Sequence, residues 1–278
     1  MPLNVLYVEG ILISFNIKNQ NAKNVIFFFH GNSASAEYWE NQLNEDRFSA
    51  YCLIAFDLPG QGKSSASPDP ENHYSLLAFG RIMVNAVKQL VNDRAFQFVG
   101  LSLGTNIIAE MLAYGLRPCG ISLIAPNIIG DGFPIEKAQQ PEVDLTCLSF
   151  DEVTLANLLE TVKKAVFNQT EKNISLITNS FYKADCRFRS SMFKNFLAGK
   201  VSDEIKLLKK CEVPLLMIFG EEEMLLDIHY LDDAPLLLWH DQFFYVPKAG
   251  HFVILDQPEH TNILLALYIE ERFKEVHS

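Results

Sequence analysis

The chain has 278 residues, enough for one large domain or one domain carrying a sizeable insertion. Hydrophobic residues make up 49% and charged residues 21%, which excludes a disordered chain, a collagen-like repeat and a disulfide-stapled miniprotein. The formal net charge of −11 repels polyanions, and Lys206, Lys209 and Lys210 make only a short basic stretch, so no nucleic-acid partner is expected.

In chain order, the β-rich runs Leu12–Ile17, Val25–Phe29 and Cys52–Phe56 predict the first strands. Leu76, Phe79, Met83, Ala86, Val87 and Leu90 then recur at helical spacing. Strands follow at Phe96–Val99 and Ile121–Ile124, and later at Leu215–Phe219 and Phe243–Val246. The last helix carries Ile263, Leu264, Leu267 and Tyr268, with Pro258 helping to start it. Several strands are apolar throughout, as expected when helices cover both faces of a parallel sheet, and the alternation predicts an α/β fold.

The rhythm breaks after Ala125. Residues 126–213 are far more than one crossover helix needs, and they open with a loop containing Gly130, Gly132, Pro134 and Pro141. Two amphipathic helices follow, one with Leu155, Leu158, Leu159, Val162 and Val166, the other with Phe188, Met192, Phe193, Phe196 and Leu197. The expected organisation is a core of residues 1–125 and 214–278 with a helical cap inserted at 126–213.

Cys52, Cys119, Cys147, Cys186 and Cys211 are scattered with no Cys-x-x-Cys pair, the usage of reduced thiols in a cytoplasmic protein. The seven histidines include no His-x-x-x-His pair and no cluster with cysteine, so neither a metal nor an organic cofactor is expected. Residues 1–10 lack the basic start and apolar core of a signal peptide, and no apolar run reaches the ~20 residues needed to span a bilayer. The expectation is a cytoplasmic monomer or homodimer with no membrane partner, in which the sequons at Asn168 and Asn173 carry no meaning.

The strongest local signal is Val99-Gly100-Leu101-Ser102-Leu103-Gly104, directly after a strand and directly before a helical run. Glycines two residues either side of a serine let a strand turn sharply into a helix and lift the Ser102 hydroxyl out of the sheet edge. The N-terminus of that helix adds unpaired N–H groups that favour negative charge. A neutral serine is a poor nucleophile and needs a base, a task suited to an imidazole titrating near ~6.5. Gly62-Lys63-Ser64 could end a phosphate-binding loop, but Asp57 stands where that motif needs its first glycine.

With these motifs the chain resembles the α/β-hydrolase superfamily over nearly its whole length. Phe29-His30-Gly31-Asn32 is similar to its oxyanion loop. Asp57-Leu58-Pro59-Gly60-Gln61-Gly62-Lys63-Ser64 is similar to its D-x-P-G-x-G-x-S loop, with Gln61 where histidine is common. Ala249-Gly250-His251 follows the last strand, where the superfamily places its catalytic histidine. Thr105 departs from the glycine often found after G-x-S-x-G. The resemblance implies a mostly parallel central sheet flanked by helices, Ser102 as nucleophile and His251 as base. His30 would brace the oxyanion loop. The acid would be Glu223, three residues after Gly220, with Asp227 as the alternative, while Glu221 and Glu222 are expected to be solvated.

The backbone N–H groups of Asn32 and Leu103 would form the oxyanion hole, and whether the Asn32 side chain also donates stays open. Trp39, Phe133 and Phe252 are candidates for the substrate pocket, with ordinary packing as the alternative for each. A serine at the elbow argues against dehalogenase and epoxide-hydrolase chemistry, which use aspartate there. The remaining chemistry is cleavage of a small carboxylic ester or lactone. Within the superfamily, His30–Ser35, Trp39, the Asp57–Gly60 run and Glu223 together look most like the N-acyl-homoserine lactonases of this fold. A small-molecule receptor with little turnover, or a carbon–carbon bond hydrolase or cofactor-free lyase on the same scaffold, stay open.

Overall fold

The structure, a computed structural model, describes residues 4–277. Met1–Leu3 and Ser278, counted above in the leader and core ranges, lie outside the described residues. Eight strands form one sheet in the order β1-β2-β4-β3-β5-β6-β7-β8. They are β1 (Asn4–Val8), β2 (Ile11–Lys18), β3 (Val25–Phe29), β4 (Cys52–Phe56), β5 (Phe96–Leu101), β6 (Gly120–Ile124), β7 (Leu215–Gly220) and β8 (Phe244–Val246). β2 pairs antiparallel with β1 and β4, and every other pairing is parallel. The expected strands are all present, and β1 adds an edge that the sequence did not signal.

β3 sits centrally and every residue of its Val-Ile-Phe-Phe-Phe run is buried. Successive side chains leave on opposite faces. Phe27 and Phe29 join the cluster under α1 (Leu76–Val91) and α2 (Leu103–Leu112), whereas Ile26 and Phe28 join the cluster on the other face. There Leu265, Tyr268, Ile269 and Phe273 of the last long helix, Pro258–His277, complete the packing. Helix α1 begins where the Ser75 hydroxyl accepts from the Ala78 N–H at 3.1 Å and ends at Asn92, which takes a left-handed φ of 49°.

The segment after β6 folds into α3 (Leu155–Ala165), α4 (Glu171–Lys183), α5 (Cys186–Leu197) and α6 (Glu204–Cys211). The long C-terminal helix is therefore α7. Helices α3, α4 and α5 start at Thr154, Thr170 and Asp185, whose side chains accept backbone N–H bonds of their first turns. The apolar faces expected on the cap have different destinations. Phe188 of α5 stacks on Phe79 of α1 at 5.7 Å and meets Tyr74 edge-on, which fastens the cap to the core. Phe193 and Leu197 point to solvent. Leu158 and Val162 of α3 and Ile177 and Phe181 of α4 instead roof the opposite face of the sheet. Helix α6, at the end of the expected insertion, packs Ile205 and Leu208 into the cluster that holds α2, as a crossover helix of the core does.

Beneath α2, Glu204 is fully buried and its Oε2 accepts from Asn106 Nδ2 at 2.8 Å and from the Ile129 N–H at 2.9 Å. Burial disfavours its charged form and pushes its pKa up to about 8. An unfolded glutamate titrates near ~4.3, so between these values the folded chain holds the extra proton and stability falls as pH rises. The melting temperature should therefore drop between pH 5 and 9 by more in the wild type than in Glu204→Gln. Parallel pH profiles for the two proteins would contradict this account.

Candidate active site

Between β5 and α2 the backbone of Ser102 adopts φ 50° and ψ −120°, in a region that side chains rarely enter. The neighbouring glycines make that turn possible. A Cβ on Gly104 would collide with the Phe29 carbonyl oxygen, and one on Gly100 would lie 2.7 Å from Ile108 Cδ1. The elbow is tied down by the Ser102 N–H, which donates to the Ile124 carbonyl at 2.9 Å, and by the Thr105 N–H and hydroxyl, which both donate to the Ser102 carbonyl. Thr105, where the superfamily often has glycine, thus holds the turn from inside the helix.

His251 lies in the loop after β8, with its Nδ1 2.7 Å from Glu223 Oε2, both side chains buried. The other carboxylate oxygen of Glu223 accepts from the N–H groups of Leu225 and Leu226, which fixes its plane. A carboxylate facing Nδ1 selects the tautomer with the proton there and leaves Nε2 as an acceptor. The two loops are laced together, since the Glu222 N–H donates to the Ala249 carbonyl and Glu222 Oε2 accepts from the Ala249 N–H at 2.8 Å. Glu222 is therefore a half-buried brace and not the solvated residue expected, while Glu221 is exposed. Asp227, the alternative acid, uses Oδ1 to accept from the His229 N–H.

The loop after β3 runs close beside the elbow, its Gly31 backed against Ser102 Cβ. His30 is fully buried, accepts from the Leu58 N–H on Nε2 at 3.0 Å and reaches the Gly31 carbonyl with Nδ1 at 2.8 Å. Burial lowers its pKa from the ordinary value, keeping it a neutral strut between two loops. Asp57 accepts from the N–H groups of Ala36 and Lys63, so the Gly60–Ser64 turn is structural. Leu103 is the first residue of α2, where N–H groups lack intrahelical partners.

Asn32, Ser102, His251 and Phe252 open onto one narrow cavity of about 50 Å³, roofed by Leu158, Val162, Ile177 and Phe181. Two expected pocket residues lie elsewhere. Trp39 is fully buried against Phe28, with ring centroids 5.1 Å apart, because the short turn Ala36–Trp39 sends it toward the sheet. Its neighbour Tyr38 lines the cavity instead and meets Phe252 edge-on at 5.5 Å. Phe133 packs against the cluster on the α1/α2 face, beside Lys137. Among the described residues, no group of three or more His, Cys, Asp or Glu side chains is placed to hold a metal ion, and no helix is long and apolar enough to cross a membrane.

Residues 24–125 match the alpha/beta hydrolase fold family. The rat (Rattus norvegicus) monoacylglycerol lipase ABHD6 is 21% identical over 261 residues, spanning 88% of this chain and 74% of that protein. The crystal structure of the N-acyl homoserine lactonase AidH complexed with N-butanoyl homoserine superposes with a TM-score of 0.87 at 20% identity, covering 98% of this chain and 97% of that one. A putative aryl esterase from Burkholderia cenocepacia gives a TM-score of 0.80 at 22% identity, covering 98% and 100%. This chain has the α/β-hydrolase fold.

Two residues of this hydrolase-fold site were not foreseen. Arg189 of α5 is buried, with its guanidinium 4.1 Å from the Phe181 ring. Asp256 accepts the N–H groups of Gly250, Phe167 and Asn168 at 2.8–2.9 Å, joining the His251 loop to the end of the cap. The only sequence signal for Asp256 is a carboxylate just before the Pro258 that opens α7. Asp256→Ala would leave the buried Gly250 donor unpaired, at ~1–3 kcal/mol, and hand the part-buried Phe167 and Asn168 donors to water. Urea titration should show a loss of ~1–3 kcal/mol, and a loss below ~1 kcal/mol would refute this role for the carboxylate.

Proposed function

We propose that the protein is a serine hydrolase that cleaves a small neutral carboxylic ester or lactone through an acyl-enzyme. The observation that carries the reading is the 2.7 Å contact of Glu223 with His251 Nδ1, which leaves Nε2 as the acceptor in the cavity shared with Ser102. In the first step His251 Nε2 takes the Ser102 hydroxyl proton as Oγ bonds to the substrate carbonyl carbon. The oxyanion is held by the backbone N–H groups of Leu103 and Asn32, and each such donor is worth ~2.7–4 kcal/mol of transition-state stabilisation. Collapse breaks the carbonyl–alkoxy bond, and His251 returns the proton to the leaving alkoxide. Water then repeats the sequence, releasing the acid and Ser102. Glu223 stays ionised throughout and stabilises the imidazolium that forms.

The substrate class is supported by the cavity and by the relatives. Its roof is aliphatic and aromatic, with Thr161 and Ser33 as the added polar groups. A monoacylglycerol lipase and an N-acyl homoserine lactonase act on neutral acyl compounds by name. A cavity of about 50 Å³ has room for only a few waters, so it suits a short acyl group.

Ser102→Ala should fold normally yet lose both turnover and labelling by a fluorophosphonate probe, and labelling at another serine would refute the nucleophile. Glu223→Gln should lower kcat by orders of magnitude with a small change in KM, whereas Asp227→Asn should be mild. The opposite ranking would make Asp227 the acid. Across a p-nitrophenyl ester series, kcat/KM should rise over the first few acyl carbons, by at most ~0.8 kcal/mol per methylene. A flat profile, or a preference for a phosphorylated or polycarboxylate ester, would refute the apolar acyl site.

A further inference from the structure

Arg189 is a cation that α5 carries into the interior beside the cavity, and none of its hydrogen-bond partners is a carboxylate. Nε donates to the Phe150 carbonyl at 2.8 Å, Nη2 to the Asp151 carbonyl at 3.0 Å, and Nη1 to the Phe181 carbonyl at 3.3 Å. Nη1 also donates to Ser33 Oγ at 3.4 Å. Ser33 lines the cavity next to Asn32, and its own hydroxyl donates to Asn32 Oδ1 at 2.7 Å.

The direction of this chain follows from chemistry. A guanidinium has five donors and no acceptor, so Ser33 Oγ must accept from it. The single Ser33 proton goes to Asn32, and the atom receiving it is the amide oxygen. With Oδ1 turned toward Ser33, the Asn32 amide presents Nδ2 as a donor. Reversing the amide would make Ser33 Oγ accept from both Arg189 and Asn32 and would take the Asn32 acceptor away from its own proton.

We propose that Arg189 is a positioning residue: through Ser33 it sets the orientation of the Asn32 amide, so that Asn32 Nδ2 becomes a side-chain donor to the substrate carbonyl oxygen beside Ser102. The same guanidinium clasps the Phe150–Asp151 loop and the end of α4, so the relay is complete only with the cap seated. The inference rests on Ser102 being the nucleophile of an acyl transfer.

The test is a set of mutant cycles read by kcat, KM and inhibition by an alkyl boronic acid, a mimic of the tetrahedral adduct. Ser33→Ala removes the relay without touching charge. It should lower kcat ~10-fold, leave KM within ~2-fold and weaken boronate inhibition ~10-fold. Asn32→Ala should be at least as severe. On the Asn32→Ala background, neither Ser33→Ala nor Arg189→Met should cost anything further, because their effect passes through the missing amide. A role in packing alone would instead multiply with Asn32→Ala and would leave boronate affinity unchanged. If Arg189→Met does not fold, the Ser33/Asn32 cycle decides alone. A wild type that fluorophosphonate fails to label at Ser102 overturns the hydrolase reading together with the relay. A labelled wild type with multiplicative mutants overturns the relay only.

Discussion

Ser102 occupies a backbone conformation that costs of order 1–3 kcal/mol, and close backbone packing around it holds the turn in place. Helix α2 approaches the end of β3 so closely that Gly104 has no room for a side chain against the Phe29 carbonyl. The same approach sets Gly31 against Ser102 Cβ, which brings the Asn32 loop and the start of α2 to one point. A buried, uninterrupted β3 in mid-sheet supplies the rigid edge for this contact. The elbow, the expected oxyanion donors and the mouth of the cavity all depend on that steric constraint.

Around the elbow, loops are tied to one another by buried polar groups more than by extra apolar surface. Glu222 laces the acid loop to the histidine loop, and Asp256 laces the histidine loop to the cap through three N–H bonds. The Phe252 N–H adds a bond to the Ala165 carbonyl at the end of α3. On the far side, Tyr74 donates to Asp185 at 2.7 Å and Phe188 stacks on Phe79, so α5 is anchored to the core. The cap is thereby held at both ends, with Arg189 between them. Such a cap favours a small closed cavity over an open groove.

Much of this was legible in the sequence because it rests on local rules. Strand and helix periodicity placed seven of the strands, and the glycine spacing placed Ser102 at a strand–helix turn. The fold followed from four motifs in order. The failures have physical reasons. β1 is an edge strand with one covered end, and its Tyr7 is exposed, so no apolar alternation marks it. Trp39 and Tyr38 are adjacent aromatics on a short 3₁₀ turn, and only the direction of that turn decides which meets the sheet and which meets the cavity. Phe188 and Leu158 both sit on amphipathic helices, yet one seals the cap to α1 and the other roofs Ser102. Arg189 and Asp256 act through contacts distant in sequence, which no spacing pattern encodes.

The claim on which the account turns is that Ser102 carries the acyl group between the two half-reactions. Rapid quenching of the wild-type protein with a short-chain activated ester, followed by peptide mass mapping, measures this directly. The account predicts a transient acyl adduct on Ser102 that forms in a burst approaching one equivalent when deacylation is slower, and decays no more slowly than turnover. Steady ester cleavage with no acylated Ser102 peptide at any time, or with the acyl group on another residue, would contradict it.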